Sequence, residues 1–328
     1  MEQNRKLEGY KVRGYSKILV TGGTGFIGSH LLDRLMKEDN EVVVLDNFFS
    51  GKIKNVKRHL DSKNFHLTEG DVRNSDDVKE AIKDVEAVFH LAAIVSVPLS
   101  IENPLLVNNV NVRGTLNLLK ASSKADVDRF IFASSCAVYG EADILPINEQ
   151  HPTSPISPYA ASKLAADNYC RVFYQVHGLK TVCLRYFNVF GPRQTKGPYS
   201  GVISQFIGRL KQNKSPIIYG DGEQTRDFVY IDDVVEACIL ALKCKSCFGE
   251  AINVGTGKPT TINELANVLI EFFCQAHIKP VYRAPREGDI RNSYADIGKA
   301  EKTLSYKPKI TMKEGIRTLL KNQGEMQE

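Results

Sequence analysis

The segment Ser157-Pro-Tyr159-Ala-Ala-Ser-Lys163 places a phenol and an ammonium four residues apart behind a proline. Proline suits a helix start, and this spacing puts both side chains on one helix face. An ordinary tyrosine, with a pKa of about 10, is a poor base at neutral pH. A neighbouring cation favours its phenolate, which could then take a proton from a hydroxyl group. Such pairs are common on surfaces, so the spacing alone decides little. A third member lies in Arg129-Phe-Ile-Phe-Ala-Ser-Ser-Cys-Ala-Val-Tyr-Gly140, an apolar strand ending in hydroxyls. Ser135 could bond to the same oxygen that Tyr159 deprotonates, or Ser134 and Ser135 could merely cap the strand.

A second constellation is Lys17-Ile-Leu-Val-Thr-Gly-Gly-Thr-Gly-Phe-Ile-Gly28, a strand running into Gly22, Gly25 and Gly28 ahead of a helical pattern. Such glycines allow a tight reversal, close approach of backbone amides to a pyrophosphate, and close packing of helix on strand. The helix N-terminus adds unpaired donors and a positive dipole end. The next strand, Glu41–Asp46, ends in an acid. Asp46 can accept both ribose hydroxyls of an adenosine and would repel a 2′-phosphate, which favours NAD over NADP. An oxidised nicotinamide would add positive charge beside Tyr159 and could accept hydride from the carbon losing its proton.

These groups need a scaffold. Strands are expected at Lys17–Thr21, Val42–Asp46, Phe65–Glu69, Ala87–Leu91, Arg129–Ser134 and Thr181–Leu184, with helical patterns between them. Near-continuous apolar strands indicate a parallel sheet buried on both faces, hence a doubly wound α/β fold of Rossmann type. The site then falls at the strand carboxyl ends. After about Arg185 the rhythm breaks at Gly191-Pro-Arg-Gln and Gly197-Pro-Tyr-Ser-Gly. Pro216–Tyr219 reads as a strand, and Phe228–Ile231 as a strand leading into a helix over Asp232–Lys243 with Asp232 as N-cap. Thr261 with Glu264 matches a capping box. This half reads as a smaller α/β lobe interleaved with the sheet. The expected division is an N-terminal extension (1–16), a dinucleotide-binding domain (17–184 plus about 225–255) and a substrate lobe (185–224 plus about 256–318).

A chain of 328 residues has room for a large core, and its formal charge of +5 is scattered rather than clustered, which gives no reason to expect nucleic acid. Neither a membrane span nor an apolar secretory segment is present in the pattern. Seven cysteines, mostly inside apolar patterns, suit reduced thiols in a cytoplasm. Cys244-Lys-Ser-Cys247 lacks the further ligands that a zinc site needs, so no metal is expected.

Taken together, Thr21–Gly28, Asp46-Asn47, Gly70–Val72, His90–Ala93, Asn111–Thr115, Ser134–Gly140, Tyr159–Lys163, Leu184–Gly191, Gly222–Asp227 and Arg286–Asp289 resemble the nucleotide-sugar 4-epimerase group of the extended short-chain dehydrogenase/reductases. The likeness runs from Lys17 to Lys309. It implies an NAD-dependent epimerase of UDP-hexoses, working as a homodimer. It also implies roles. Asp71 and Val72 would flank the adenine, with the Asp71 carboxylate accepting from its exocyclic amine, and Leu91, Ala92 and Ala93 would line the nicotinamide. Phe26, Ile27, Asn47, Phe48, Ser50, Gly51 and Tyr186 join Gly22, Gly25, Gly28, Asp46, Tyr159 and Lys163 as cofactor contacts. Asn188, Arg226 and Arg286 would hold the sugar-nucleotide diphosphate, Asp289 the uridine ribose and Tyr219 the uracil. Ser96, Val202, Ser135 and Tyr159 complete the substrate contacts. Ser293 would stand against the sugar near C2, where a small residue leaves room for an acetamido group.

Two departures refine the resemblance. Dehydratases of the superfamily carry an acidic pair in the Ser135–Cys136 region, and this chain has none. The lysine that some epimerases place after His-Leu-Ala-Ala is replaced by Val95 nearby, so NAD would be held less tightly. A UDP-glucuronate 4-epimerase or decarboxylase would begin with the same oxidation but needs a cluster for the C6 carboxylate, which the sequence does not display. Retention of Ser135, Tyr159 and Lys163 counts against a non-catalytic NAD-binding regulator.

Overall fold

A computed structural model of the chain describes residues 15–38, 40–194, 201–285 and 289–324. The chain runs through β1 (Lys17–Thr21), α1 (Phe26–Leu35), β2 (Glu41–Asp46), β3 (Phe65–Glu69), α2 (Ser75–Ala81) and β4 (Ala87–His90). Short helices α3 (Val97–Glu102) and α4 (Pro104–Asn108) pass through a π-helical turn, Asn109–Arg113, into α5 (Gly114–Lys124). Then come β5 (Arg129–Ser135), α6 (Pro158–His177) and β6 (Thr181–Tyr186). The second half has smaller pieces: β7 (Asn188–Phe190), α7 (Val202–Leu210), β8 (Ile217–Tyr219), β9 (Thr225–Arg226), β10 (Phe228–Tyr230) and α8 (Ile231–Lys243). β11 (Glu250–Val254), β12 (Thr260–Thr261), α9 (Ile262–Phe272), β13 (Val281–Arg283), β14 (Asn292–Ser293), α10 (Gly298–Leu304) and α11 (Met312–Asn322) follow.

Seven strands form one sheet in the order β11-β6-β5-β4-β1-β2-β3, and every pairing is parallel. This is the doubly wound Rossmann arrangement, with strand order reversing between β1 and β4. Alternation along each strand supplies both faces. Ile18 and Val20 point into one core with α1 and α8, whereas Leu19 joins Val88, Phe130 and Phe132 in the other, against α5 and α6. Both layers being buried explains why the strands read as continuous apolar runs.

The smaller pieces pack as β10-β7, β12-β9-β14 and β13-β8. Their apolar side chains, such as Phe206, Ile207, Leu210 and Leu265, are continuous with the α1/α8 core. The strand at Pro216–Tyr219 and the Thr261–Glu264 capping box are present. Three expectations are corrected. The edge strand β11 was not foreseen. Helix α8 starts at Ile231 behind Tyr230, so Asp232 sits in its first turn and not at the cap. Cys244 and Cys247 are bonded to each other, whereas reduced thiols were expected. The extension up to residue 14 lies outside the described residues; Tyr15 donates to Asp128 at 2.7 Å and Ser16 to Glu86. Among the described residues no helix is long and apolar enough to cross a membrane.

Candidate active site

The glycine turn is dictated by contact. Gly22 has φ +70°, and a Cβ there would come within 2.8 Å of the Ala92 nitrogen. A Cβ on Gly28 would lie 2.2 Å from the Gly22 carbonyl oxygen, so only glycine lets α1 sit this close to β1. Gly25 caps α1 without a side-chain bond. The amides of Phe26 and Ile27 thus open a helix whose first turn has no intrahelical acceptor. They line a cavity of about 440 Å³ that crosses the carboxyl ends of the strands.

At one end of this cavity the Asp46 carboxylate is fixed by the amides of Thr24 (3.0 Å) and Phe48 (2.9 Å). A Cβ on Gly51 would lie 3.1 Å from both Asp46 oxygens, so glycine keeps the approach to the carboxylate open. Asn47 donates to Asp71 at 2.8 Å. Arg73, which sequence reasoning missed, grips Asp71 through Nε (2.9 Å) and Nη2 (2.6 Å) and holds its carboxyl down at about 2. The acid expected to face the adenine is therefore part of an Asn47–Asp71–Arg73 cluster. Ser50, Gly51 and Val72 line the cavity with them. Phe48 does not; its left-handed backbone (φ 57°) turns it aside and Phe49 lines the wall instead.

The other end carries the reactive groups. Ser157 caps α6 by accepting from the Ala160 amide (3.1 Å), with Pro158 in the first turn, and this presents Tyr159 and Lys163 along one face. Tyr159 is hydrogen-bonded to Ser135, the last residue of β5. Burial pushes the phenol up to about 12, with the Ser135 bond acting in the opposite direction. Lys163 donates to the Ala133 carbonyl at 2.7 Å and lies 4.8 Å from the Phe132 ring centroid. Burial lowers its ammonium to about 8, against the Asp167 charge. The expected lowering of Tyr159 by Lys163 is not found in the protein alone, where desolvation governs the phenol and only the Ser135 bond opposes it. Leu91, Ala92, Ala93, Tyr186 and Asn188 line the same end. The Tyr186 hydroxyl is turned away, paired with Cys238 at 3.1 Å.

Asn111, which opened one of the matching segments but was given no role, sits in the π-helical turn. Its amide pairs with both backbone groups of Ile94 (2.9 Å each) and with Ser162 (3.0 Å), tying the β4 loop to α6. His90 is buried between the hydroxyls of Thr21 (2.7 Å) and Thr115 (2.9 Å). Burial lowers it to about 3, so it is neutral and structural.

The remaining candidates among the described residues fall outside the cavity wall. Arg226 and Asp289 pair with each other at 2.6 Å instead of standing apart as two separate anchors. Ser293 is buried on β14, in register with Arg226 on β9, and is hydrogen-bonded to Cys136. Burial pushes the Cys136 thiol up to about 11. Hence the turn after Ser135 meets the substrate-side strands directly. Tyr219 lies on β8 beside Arg283, and Val202 opens α7. The Ser96 hydroxyl accepts from the Leu99 amide as the α3 cap, at 3.2 Å. Arg286 lies outside the described residues.

A glycine cradle that a Cβ would fill, a fixed acid on β2 and a buried Ser–Tyr–Lys cluster fit a dinucleotide, and they define an enzyme that removes a proton and a hydride from an alcohol. The chain belongs to the NAD dependent epimerase/dehydratase family, whose model matches residues 18–255. Its cofactor is NAD. It is 44% identical over 308 residues to a putative UDP-glucose 4-epimerase of Methanocaldococcus jannaschii, covering 92% of this chain and 97% of that protein. Its fold matches the UDP-glucose 4-epimerase of Thermotoga maritima, solved with UDP-glucose, with a TM-score of 0.89, 39% identity and coverage of 94% and 99%. The UDP-N-acetylglucosamine 4-epimerase of Methanobrevibacter ruminantium, solved with UDP-N-acetylmuramic acid, matches with a TM-score of 0.89, 39% identity and coverage of 95% and 99%. The resemblance drawn from the sequence is borne out.

Proposed function

We propose that the chain is a UDP-sugar 4-epimerase that accepts UDP-glucose and, through a small residue at Ser293, UDP-N-acetylglucosamine. The observation that carries this is the bonded pair of half-buried Ser135 and buried Tyr159, with Cys136 and Ala137 after Ser135 where a carboxylate would be needed to eliminate water. Tyr159 accepts the proton of the sugar 4-hydroxyl and Ser135 steadies the same oxygen. Lys163 supplies the positive charge that favours the phenolate. NAD, when bound, provides the acceptor and later the donor of the C4 hydride. The 4-keto sugar turns about its diphosphate and is reduced on its other face. Arg226, Arg286 and Asn188 anchor the diphosphate, so the nucleotide stays fixed while the sugar moves. In this reading the cofactor domain comprises 17–184 plus about 225–255, and the nucleotide-sugar lobe 185–224 plus about 256–318. The protein works in the cytoplasm as a homodimer. The exposed apolar side chains of Ile101, Leu105, Val172 and Val176 on α3, α4 and α6 support the dimer.

Incubation with UDP-glucose, UDP-N-acetylglucosamine and UDP-glucuronate, followed by product separation, tests the reading. The first two sugars are expected to be inverted at C4. Ser293→Tyr is expected to suppress the N-acetyl reaction selectively, because an overfilled pocket penalises the larger sugar. Equal slowing of both sugars would remove Ser293 from specificity; product from UDP-glucuronate alone would replace the substrate assignment.

A further inference from the structure

One carboxylate outside the catalytic cluster gathers two guanidinium groups and an imidazole from two separate segments. Asp33, on α1 and 16% exposed, accepts from His59 Nε2 at 2.8 Å and is paired with Arg58. Both come from the loop after β2. Its Oδ2 also takes Arg193 Nη2 at 2.7 Å, from the loop after β7. Each segment has a second tie to the same region. Lys52 and Asn55 donate to the Thr24 carbonyl in the glycine turn, at 3.1 and 2.8 Å. His30, one helical turn before Asp33 on α1, donates to the Pro192 carbonyl at 3.0 Å.

Both segments reach the cavity wall. The first brings Ser50 and Gly51 to its wall, the second Gln194. Arg193 has φ +64°, a left-handed backbone that a non-glycine residue adopts only where its surroundings hold it. The anion that holds Arg193 is the one that also holds Arg58 and His59.

We propose that Asp33 is a positioning residue that fastens the β2 loop and the 191–194 loop to α1, and that this clasp sets how long NAD stays bound. A partly buried carboxylate shared by two guanidinium groups loses its charge assistance to both at once when neutralised, and such losses appear mainly in the dissociation rate. The inference rests on NAD being the cofactor and not on which sugar is epimerised. It therefore stands or falls separately from the epimerase reading.

The test uses purified full-length protein loaded with NADH, whose fluorescence is followed as excess NAD displaces it. Asp33→Asn is expected to release NADH at least about tenfold faster than wild type, on the scale of one lost charge-assisted contact. Arg193→Gln and Arg58→Gln should shift release in the same direction. The double variant of Asp33→Asn with Arg193→Gln should be no faster than Asp33→Asn alone, since both break one bond. Asp33→Glu should recover part of the slow release by retaining the charge. A purely structural Asp33 would lower the thermal midpoint of the NAD-free protein without changing release. Release within twofold of wild type in folded Asp33→Asn, or in Arg193→Gln should Asp33→Asn fail to fold, overturns the proposal.

Discussion

Tyr159 and Lys163 are each pushed away from their charged forms, and for the same reason. Both are buried, and burial raises the phenol to about 12 while lowering the ammonium to about 8. The site thus withholds the phenolate until further positive charge arrives, which an oxidised nicotinamide would bring. Tyr159→Phe removes the proton acceptor but little volume. Turnover should fall about a hundredfold or more, the scale of losing a general base, while UDP-sugar binding measured by calorimetry persists. Near-normal turnover in a folded variant would exclude Tyr159 from the proton transfer. Lys163 also leaves a signature in stability. Its folded pKa of about 8 lies below the unfolded value near 10.5, so between those values the unfolded chain binds the extra proton. The Lys163 contribution is therefore unfavourable below pH 8 and is relieved as pH rises from 8 towards 10. Urea denaturation of the NAD-free protein at pH 8, 9 and 10 should show this increment in wild type and not in Lys163→Met. Placement at this scale was legible where spacing fixes it, as for Tyr159, Lys163 and Asp46, which all reach the cavity wall. That of Arg73 was not, and Asn111 stood only within a family-like segment without a role, because the partners of such side chains appear only with the tertiary structure.

The elements explain how those side chains reach one another. α6 begins with Ser157 and Pro158, and its cap lies only two residues from Tyr159. Ser157→Ala removes an acceptor from the Ala160 amide and should cost about 1 kcal/mol in denaturant unfolding; Ser157→Gly should cost only a few tenths. If both cost the same, the hydroxyl does not stabilise the helix start. Most elements were readable because period and punctuation agree: glycines before α1, proline before α6, Thr261 with Glu264 before α9. Misses occur where they do not. β11 spans five residues after a turn and has a polar start at Glu250, so its apolar core of Ile252 and Val254 gives too short a pattern. Asp232 looked like a cap because an acid preceded an apolar helix. The chain leaves β10 directly into that helix, and the neighbouring Asp233 accepts from the Lys309 and Ile310 amides instead. The π-helical turn at Asn111 is not marked by any helical period, yet its side chain ties the β4 loop to α6.

At the scale of the molecule, the two halves of the chain meet where the sheet order reverses, and one outer face remains apolar. Ile101 on α3 is 65% exposed, Leu105 on α4 76%, and Val176 on α6 68%, with Val172 one turn before it. Positions 169, 172 and 176 follow helical spacing, so Tyr169, Val172 and Val176 form one stripe beside α3 and α4, which pack on the same helix. Scattered apolar side chains need no partner, but a continuous stripe along a twenty-residue helix does. A second copy would bring its own stripe against this one, the self-complementary contact of a two-fold dimer. Because α6 also carries Tyr159 and Lys163, the same helix would serve the interface on one face and the reaction on the other. Sedimentation equilibrium should therefore give a dimer for the wild-type chain. Val172→Glu combined with Val176→Glu places like charges against their symmetry mates and should shift the equilibrium to monomer. The monomer should unfold at lower temperature, since dimer stability includes the association free energy and depends on concentration. A wild-type monomer at micromolar concentration, or an undisturbed dimer in the double variant, would move the contact off this face.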